Sequence, residues 1–161
     1  SQLVVRGNYA VTPIEVQQDT ANNHYAITFR NSNGLVGNII TQGSGTTYNT
    51  SSDYRLKENA TTISDGITRL KSLKPYRFNF KVDTDTTVDG FFAHEVSSVV
   101  PVAVTGTKDA VVTQTMIDNE EYEKEQLGDP IHQGIDQSKL VPLLTAALQE
   151  AIGRIEALEA G

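Results

Sequence analysis

Short alternating or β-branched runs mark the first third of the chain, at Leu3-Val4-Val5, Tyr25-Ala26-Ile27-Thr28-Phe29 and Val36-Gly37-Asn38-Ile39-Ile40. Turn formers separate them at Gly7-Asn8, Asn22-Asn23, Asn31-Ser32-Asn33-Gly34 and Gly43-Ser44-Gly45, which predicts a meander of short strands over residues 1–50. These strands carry too few apolar side chains for a core of their own, so the segment is expected to pair with copies of itself or with chain upstream. The pattern changes at Thr50-Ser51-Ser52-Asp53, where charge enters with Arg55, Lys57 and Glu58. A boundary placed there divides the chain into residues 1–51 and 52–161. Beyond it, Ile63, Ile67, Leu70 and Leu73 recur at steps of four, three and three, one face of a short helix that Pro75 ends. Tyr76-Arg77-Phe78-Asn79-Phe80 alternates like a half-buried strand, Asp83 to Asp89 reads as a polar turn, and Gly90-Phe91-Phe92-Ala93 opens a second strand. The fold class is therefore α+β: a β-rich end, a small mixed domain, then a long helix.

That helix is predicted over about 138–160, with Ser138 as N-cap and Pro142 in the first turn, where a missing N–H costs least. Leu144, Leu148, Ala151, Ile155 and Leu158 are spaced four, three, four, three, the a/d seam of a coiled coil. Leu140, Leu143, Ala147 and Ile152 widen the stripe on its flank. A stripe of this width also suits an amphipathic helix packed on its own domain. Two heptads do not set the number of strands.

Composition sharpens this picture. In 161 residues, 38% are apolar and 7% aromatic with no Trp, a thin supply for a large monomeric core, so oligomerisation is expected. A formal charge of −7 argues against nucleic acid as a partner. With no Cys there are no disulfides, thiolate metal sites or Cys nucleophiles, and folding in the cytoplasm is compatible. Nothing near Ser1 resembles a signal peptide, and no apolar run approaches the ~20 residues of a membrane span, so the chain reads as soluble without membrane insertion. Asp118, Glu120, Glu121, Glu123, Glu125 and Asp129 face a single base, Lys124, in a run that reads as a solvated loop and lacks calcium-loop spacing. His24 and His132 have no partner at ligand spacing and read as structural or exposed; neither metal nor cofactor is expected.

Covalent chemistry concentrates in Ser52-Asp53-Tyr54-Arg55-Leu56-Lys57-Glu58-Asn59. A serine hydroxyl needs a base to become a nucleophile, and a lysine can serve once its neutral amine is accessible. Five residues apart, Ser52 and Lys57 would sit about 140° apart on a helix and on opposite faces of a strand. A turn or bulge must join them, or Lys57 must come from a neighbouring chain. The octapeptide resembles the cleavage-site motif of the intramolecular chaperone auto-processing domain found at the end of phage endosialidases, tailspikes, tail fibres and neck appendages. Three further blocks agree in order: Leu73-Lys74-Pro75-Tyr76-Arg77-Phe78-Asn79-Phe80-Lys81, then Gly90-Phe91-Phe92-Ala93-His94-Glu95-Val96 with Pro101, then Gly134-Ile135-Asp136 and Ser138-Lys139-Leu140-Val141-Pro142-Leu143-Leu144.

The resemblance, which spans residues 51–158, implies a homotrimer whose Ser52 is the nucleophile, Lys57 its base, and the Ser51–Ser52 bond the one cut. Asp53 and Arg55 fall on motif positions, and Arg55 is expected to hold the loop by a charge-assisted pair. His94, in a block read as strand-like, and Glu95 are supporting candidates. On this reading residues 1–51 end a fibre shaft, assembly takes place in the host cytoplasm, and the parent fibre in the virion tail meets a host surface receptor. A trimeric fibre tip that does not cleave, structural or receptor-binding, is the alternative. A glycan-cutting enzyme is disfavoured, because a glycosidase needs two converging carboxylates and residues 1–50 offer only Glu15 and Asp19.

Overall fold

The structure, a computed structural model, describes residues 14–17 and 19–161. The strand read at Leu3-Val4-Val5 and the turn at Gly7-Asn8 lie outside the described residues. Two compact units divide the chain, Ser1–Ala60 and Thr61–Gly161.

In the first unit the turn formers do what their chemistry suggests. Strands β1 (His24–Asn31), β2 (Gly34–Gln42) and β3 (Gly45–Thr50) form an antiparallel meander in the order β1-β2-β3. Gly34 and Gly43 turn the two hairpins at φ +97° and +56°, angles that a side chain disfavours. β2 and β3 run in unbroken register from Gln42↔Gly45 to Gly37↔Thr50. The sheet keeps its large apolar side chains in the open: Tyr25, Ile27, Phe29 and Tyr48 are all exposed.

The second unit is mixed. Helix α1 (Gly66–Ser72) ends before Pro75, and β4 (Tyr76–Phe80) pairs with β5 (Asp83–Gly90). Asp83 to Asp89 is therefore strand rather than turn, and Lys81-Val82 makes the reversal. The β-branched Thr84, Thr86, Thr87 and Val88 suit a pleated ribbon with wet sides, which a reading centred on polarity mistakes for a loop. The chain after Gly90 is likewise not a strand: Ala93–Val96 forms α2, so His94 and Glu95 are helical. β6 (Val104–Thr105), α3 (Gln114–Asp118) and β7 (Gly134–Ile135) follow, with β6 and β7 paired. The acidic run starts at the end of α3 with Asp118 and continues in turns, one a single 3₁₀ turn held by the mutual capping of Glu123 and Gln126.

Asp136, not Ser138, caps the start of the C-terminal helical stretch. Its Oδ1 accepts from Ser138 N at 3.0 Å and from Ser138 Oγ at 2.6 Å, and a 3₁₀ turn at Gln137–Leu140 leads into α4 (Val141–Glu159). Both residue types can cap, but only the carboxylate lies ahead of the first helical N–H groups. Leu140, Leu143 and Ala147 are buried, and the first two join Leu73, Val96, Val100 and Ala103 in a small core. The heptad positions on the neighbouring face are not covered: Leu144 is 46%, Leu148 62%, Ile155 54% and Leu158 82% exposed. Packing on its own domain thus covers the flank as far as Ala147, with Ile152 exposed, and leaves the seam bare apart from the half-buried Ala151. Among the described residues no helix is long and apolar enough to cross a membrane.

α1 approaches α4 at Gly66, where an added Cβ would lie 2.5 Å from Ala147 N and 2.8 Å from Ala146 C. Glu150 on α4 also accepts the backbone N–H of Ile67 at 3.1 Å, satisfying one of the free donors at the start of α1. Because the obstructing atoms are backbone, Gly66→Ala is expected to push the helices apart and destabilise the unit by about 1–3 kcal/mol. Gly153→Ala, where a Cβ meets nothing within 4 Å, should instead stabilise by roughly 0.5–1 kcal/mol through helix propensity. Urea unfolding of the two variants against the parent checks both signs.

Candidate functional site

The last rung of the β2–β3 ladder leads directly into the motif. Ser51 donates its N–H to the Val36 carbonyl at 3.2 Å and its hydroxyl to the Leu35 carbonyl at 3.1 Å. The chain then leaves the sheet and makes one 3₁₀ turn at Tyr54–Leu56, capped by Asp53. Asp53 Oδ1 accepts the backbone N–H of Arg55 at 2.9 Å, and the same carboxylate takes a two-point pair from the Arg55 guanidinium, 2.9 Å at Nε and 2.8 Å at Nη2. Leu56 N and Lys57 N donate to the Asp53 and Tyr54 carbonyls at 3.1 Å each, closing the turn. Lys57 exits in extended geometry, and Asn59 takes a left-handed φ of +53°, a conformation asparagine tolerates better than most residues.

This turn solves the spacing problem within one chain. Lys57 Nζ donates to Ser52 Oγ at 2.8 Å. Neither a helix nor a strand would bring residues five apart together, whereas a single turn followed by an extended residue doubles the chain back. All residues from Ser51 to Ala60 are exposed, and the apolar side chains of the turn, Tyr54 and Leu56, are 81% and 72% exposed on either side of Arg55. Among the described hydrogen bonds none is accepted by the Ser51 carbonyl.

The Arg55 guanidinium holds the Asp53 carboxyl below its ordinary range, with help from the Arg55 backbone N–H and the charge of Lys57 and opposition from desolvation. Arg55 is raised in return by the same pair. The two groups are engaged with each other, and their chemistry is that of a clamp on the turn.

His94 and Glu95 belong to the second unit, where their neighbours are Lys74, Tyr76 and Phe92. Glu95 Oε1 accepts from Lys74 Nζ at 3.1 Å and from the Tyr76 hydroxyl at 3.3 Å. The hydrogen bond from Lys74 holds the Glu95 carboxyl down, against partial burial, with smaller help from Tyr76. Its second oxygen, Oε2, is buried with no partner. His94 is exposed and stacks on Phe92 at 6.0 Å, and Phe92 in turn lies 4.9 Å from Tyr76. Lys74 and Tyr76 stand in the block Leu73–Lys81, but nothing local in the sequence signals their partner Glu95, farther along the chain. His24 and His132 are exposed.

Residues 52–105 match the model of a protein family described as chaperone of endosialidase, whose family name also classes it among peptidases. The matched stretch begins at Ser52 and includes the octapeptide and the blocks around Tyr76 and Phe92; the block at Gly134–Leu144 lies beyond it. No curated protein matches the chain. The family match supports a chaperone role for this part of the chain and a peptidase of the serine type.

The Asp53–Arg55 clamp has a pH signature. A carboxyl held below its ordinary value of 3.8 stabilises the turn above that value and loses the contribution as pH falls through the lowered midpoint. An NMR titration should place the Asp53 midpoint below 3.8, and Arg55→Ala should return it toward 3.8. A midpoint at or above 3.8 in the parent would remove the clamp from the account.

Proposed function

We propose that this chain belongs to a phage tail fibre or tailspike, and that residues 52–161 act as a trimerisation chaperone that detaches by cutting the Ser51–Ser52 bond. The observation that carries this reading is the 2.8 Å contact between Lys57 Nζ and Ser52 Oγ at the first residue of the family match. In the reaction Ser52 Oγ attacks the Ser51 carbonyl carbon and gives its proton to the neutral Lys57 amine. The C–N bond breaks as that proton passes to the departing Ser52 nitrogen. Water then hydrolyses the ester, leaving a Ser51 carboxylate and restoring the Ser52 hydroxyl. Asp53 and Arg55 hold the turn.

Assembly supplies what the single chain lacks. Desolvation disfavours a charged amine, and the uncovered Tyr54 and Leu56 beside the dyad are apolar surface of the kind a neighbouring chain would cover. The bare seam Leu144, Leu148, Ile155 and Leu158 supports a coiled coil between α4 helices. Three chains gathered there raise the local concentration of the upstream strands, whose long-range pairing is slow and prone to aggregate. Once cleaved, the fibre stays folded behind its unfolding barrier. Assembly would take place in the host cytoplasm, and the parent fibre, not this domain, would meet the receptor.

Exposure of both dyad side chains favours a second reading, a permanent trimeric fibre tip that does not cleave. Denaturing electrophoresis separates the two: self-processing gives pieces of 51 and 110 residues, the permanent tip a single band of 161. Ser52→Ala should abolish the fragments, and Lys57→Ala should slow their formation by at least about 100-fold. Because the dyad lies within one chain, Ser52→Ala and Lys57→Ala chains mixed before assembly should not restore cleavage. In sedimentation the parent should be a trimer, and Leu148→Glu with Ile155→Glu should dissociate it while leaving the helix signal; a monomeric parent would defeat the assembly account.

A further inference from the structure

We infer that Ser51 is a positioning residue whose hydroxyl, through the Leu35 carbonyl, aims the scissile carbonyl at the Ser52 nucleophile; this rests on the self-processing reading and deepens it. The β2–β3 register ends at Gly37↔Thr50, one residue before Ser51. A further antiparallel rung would exchange two bonds, Ser51 N–H to Val36 O and Val36 N–H to Ser51 O. The first is made at 3.2 Å; the second is not among the described bonds. In place of the missing return bond, the Ser51 hydroxyl crosses to the next carbonyl of β2, that of Leu35, at 3.1 Å. Ser51 is thus fastened to two successive carbonyls of β2 by donors on its own N–H and side chain, while its own carbonyl accepts no described hydrogen bond.

That arrangement matters to the chemistry. A carbonyl locked in a ladder would be held in the sheet plane, yet attack requires its carbon to become tetrahedral and its oxygen to swing away. Fastening Ser51 through its hydroxyl fixes the residue without engaging the oxygen that must move. Leu35 is itself paired with Arg30 of β1, beside the register shift that leaves Val36 without a β1 partner, so the acceptor of the Ser51 hydroxyl is in place once the three-stranded sheet has closed in this register. Cleavage would then depend on correct pairing of the strand end immediately before the cut.

The test compares Ser51→Thr with Ser51→Val in the full chain. The two have nearly the same shape and strand propensity and differ in the hydroxyl. First-order fragment formation in Ser51→Thr is expected within about threefold of the parent, and in Ser51→Val about ten- to a hundredfold slower, as a misaimed reacting pair would be. Melting temperature and sedimentation of both variants, alike within error, would separate positioning from folding; if Ser51→Val fails to assemble, Ser51→Ala replaces it. Equal cleavage rates for the hydroxyl-bearing and hydroxyl-free variants overturn the role of the hydroxyl while leaving self-processing intact. A parent chain that yields no fragments overturns both.

Discussion

The contact between Lys57 and Ser52 exists because one carboxylate, Asp53, holds a single 3₁₀ turn closed. It takes the Arg55 N–H as a capping acceptor and the Arg55 guanidinium as a two-point pair, so one side chain restrains both the backbone of the turn and the Arg55 arm. Exposed ion pairs contribute little to global stability. Here the pair's effect is local geometry, since the turn has no buried residue of its own to hold it. On the other flank the sheet supplies the anchor, through Ser51 and the carbonyls of Leu35 and Val36. Ser52 and Lys57 therefore sit between a polar clamp and the end of a β-ladder, in a turn without a buried residue.

The second unit has the complementary economy. Its core consists of small and medium aliphatic residues centred on Val96, Val100, Ala103, Leu140 and Leu143. α4 contributes only one edge of its apolar stripe to it, and the close approach of α1 is made possible by the missing side chain at Gly66. The remaining edge of α4 stays in water. Leucines left uncovered at heptad spacing are the kind of surface that a coiled-coil partner covers, in keeping with the proposed assembly. The open apolar residues of the β1–β2–β3 sheet make the same case for the first unit.

How far the sequence could be read depended on how local each cause was. The hairpin turns at Asn31–Gly34 and Gly43–Gly45, the helix ended by Pro75 and the strand at Tyr76–Phe80 follow from turn chemistry and periodicity over a few residues. The strand at Asp83–Gly90 was missed because its Thr and Asp residues look like a turn until β4 is there to pair with them. The block around His94 looked like a strand because Phe91 and Phe92 are apolar and adjacent, yet the chain turns helical at Ala93, where the Val96 and Val100 side chains can reach the core. Ser138 looked like the cap, but Asp136 stands ahead of it and accepts from it.

The sequence by itself singled out the residues to which chemistry is assigned in the proposal: a serine and a lysine five apart with an acid and an arginine between them, at the start of the stretch that matches a known family, and a heptad seam at the other end. It also showed that no regular element could join the pair. Only the tertiary structure decided that a capped turn joins them within one chain, that Ser51 is pinned to β2, and which edge of α4 stays bare. Those outcomes rest on contacts between residues distant in sequence or on the sense of a turn, and neither is encoded in the spacing of residues along the chain.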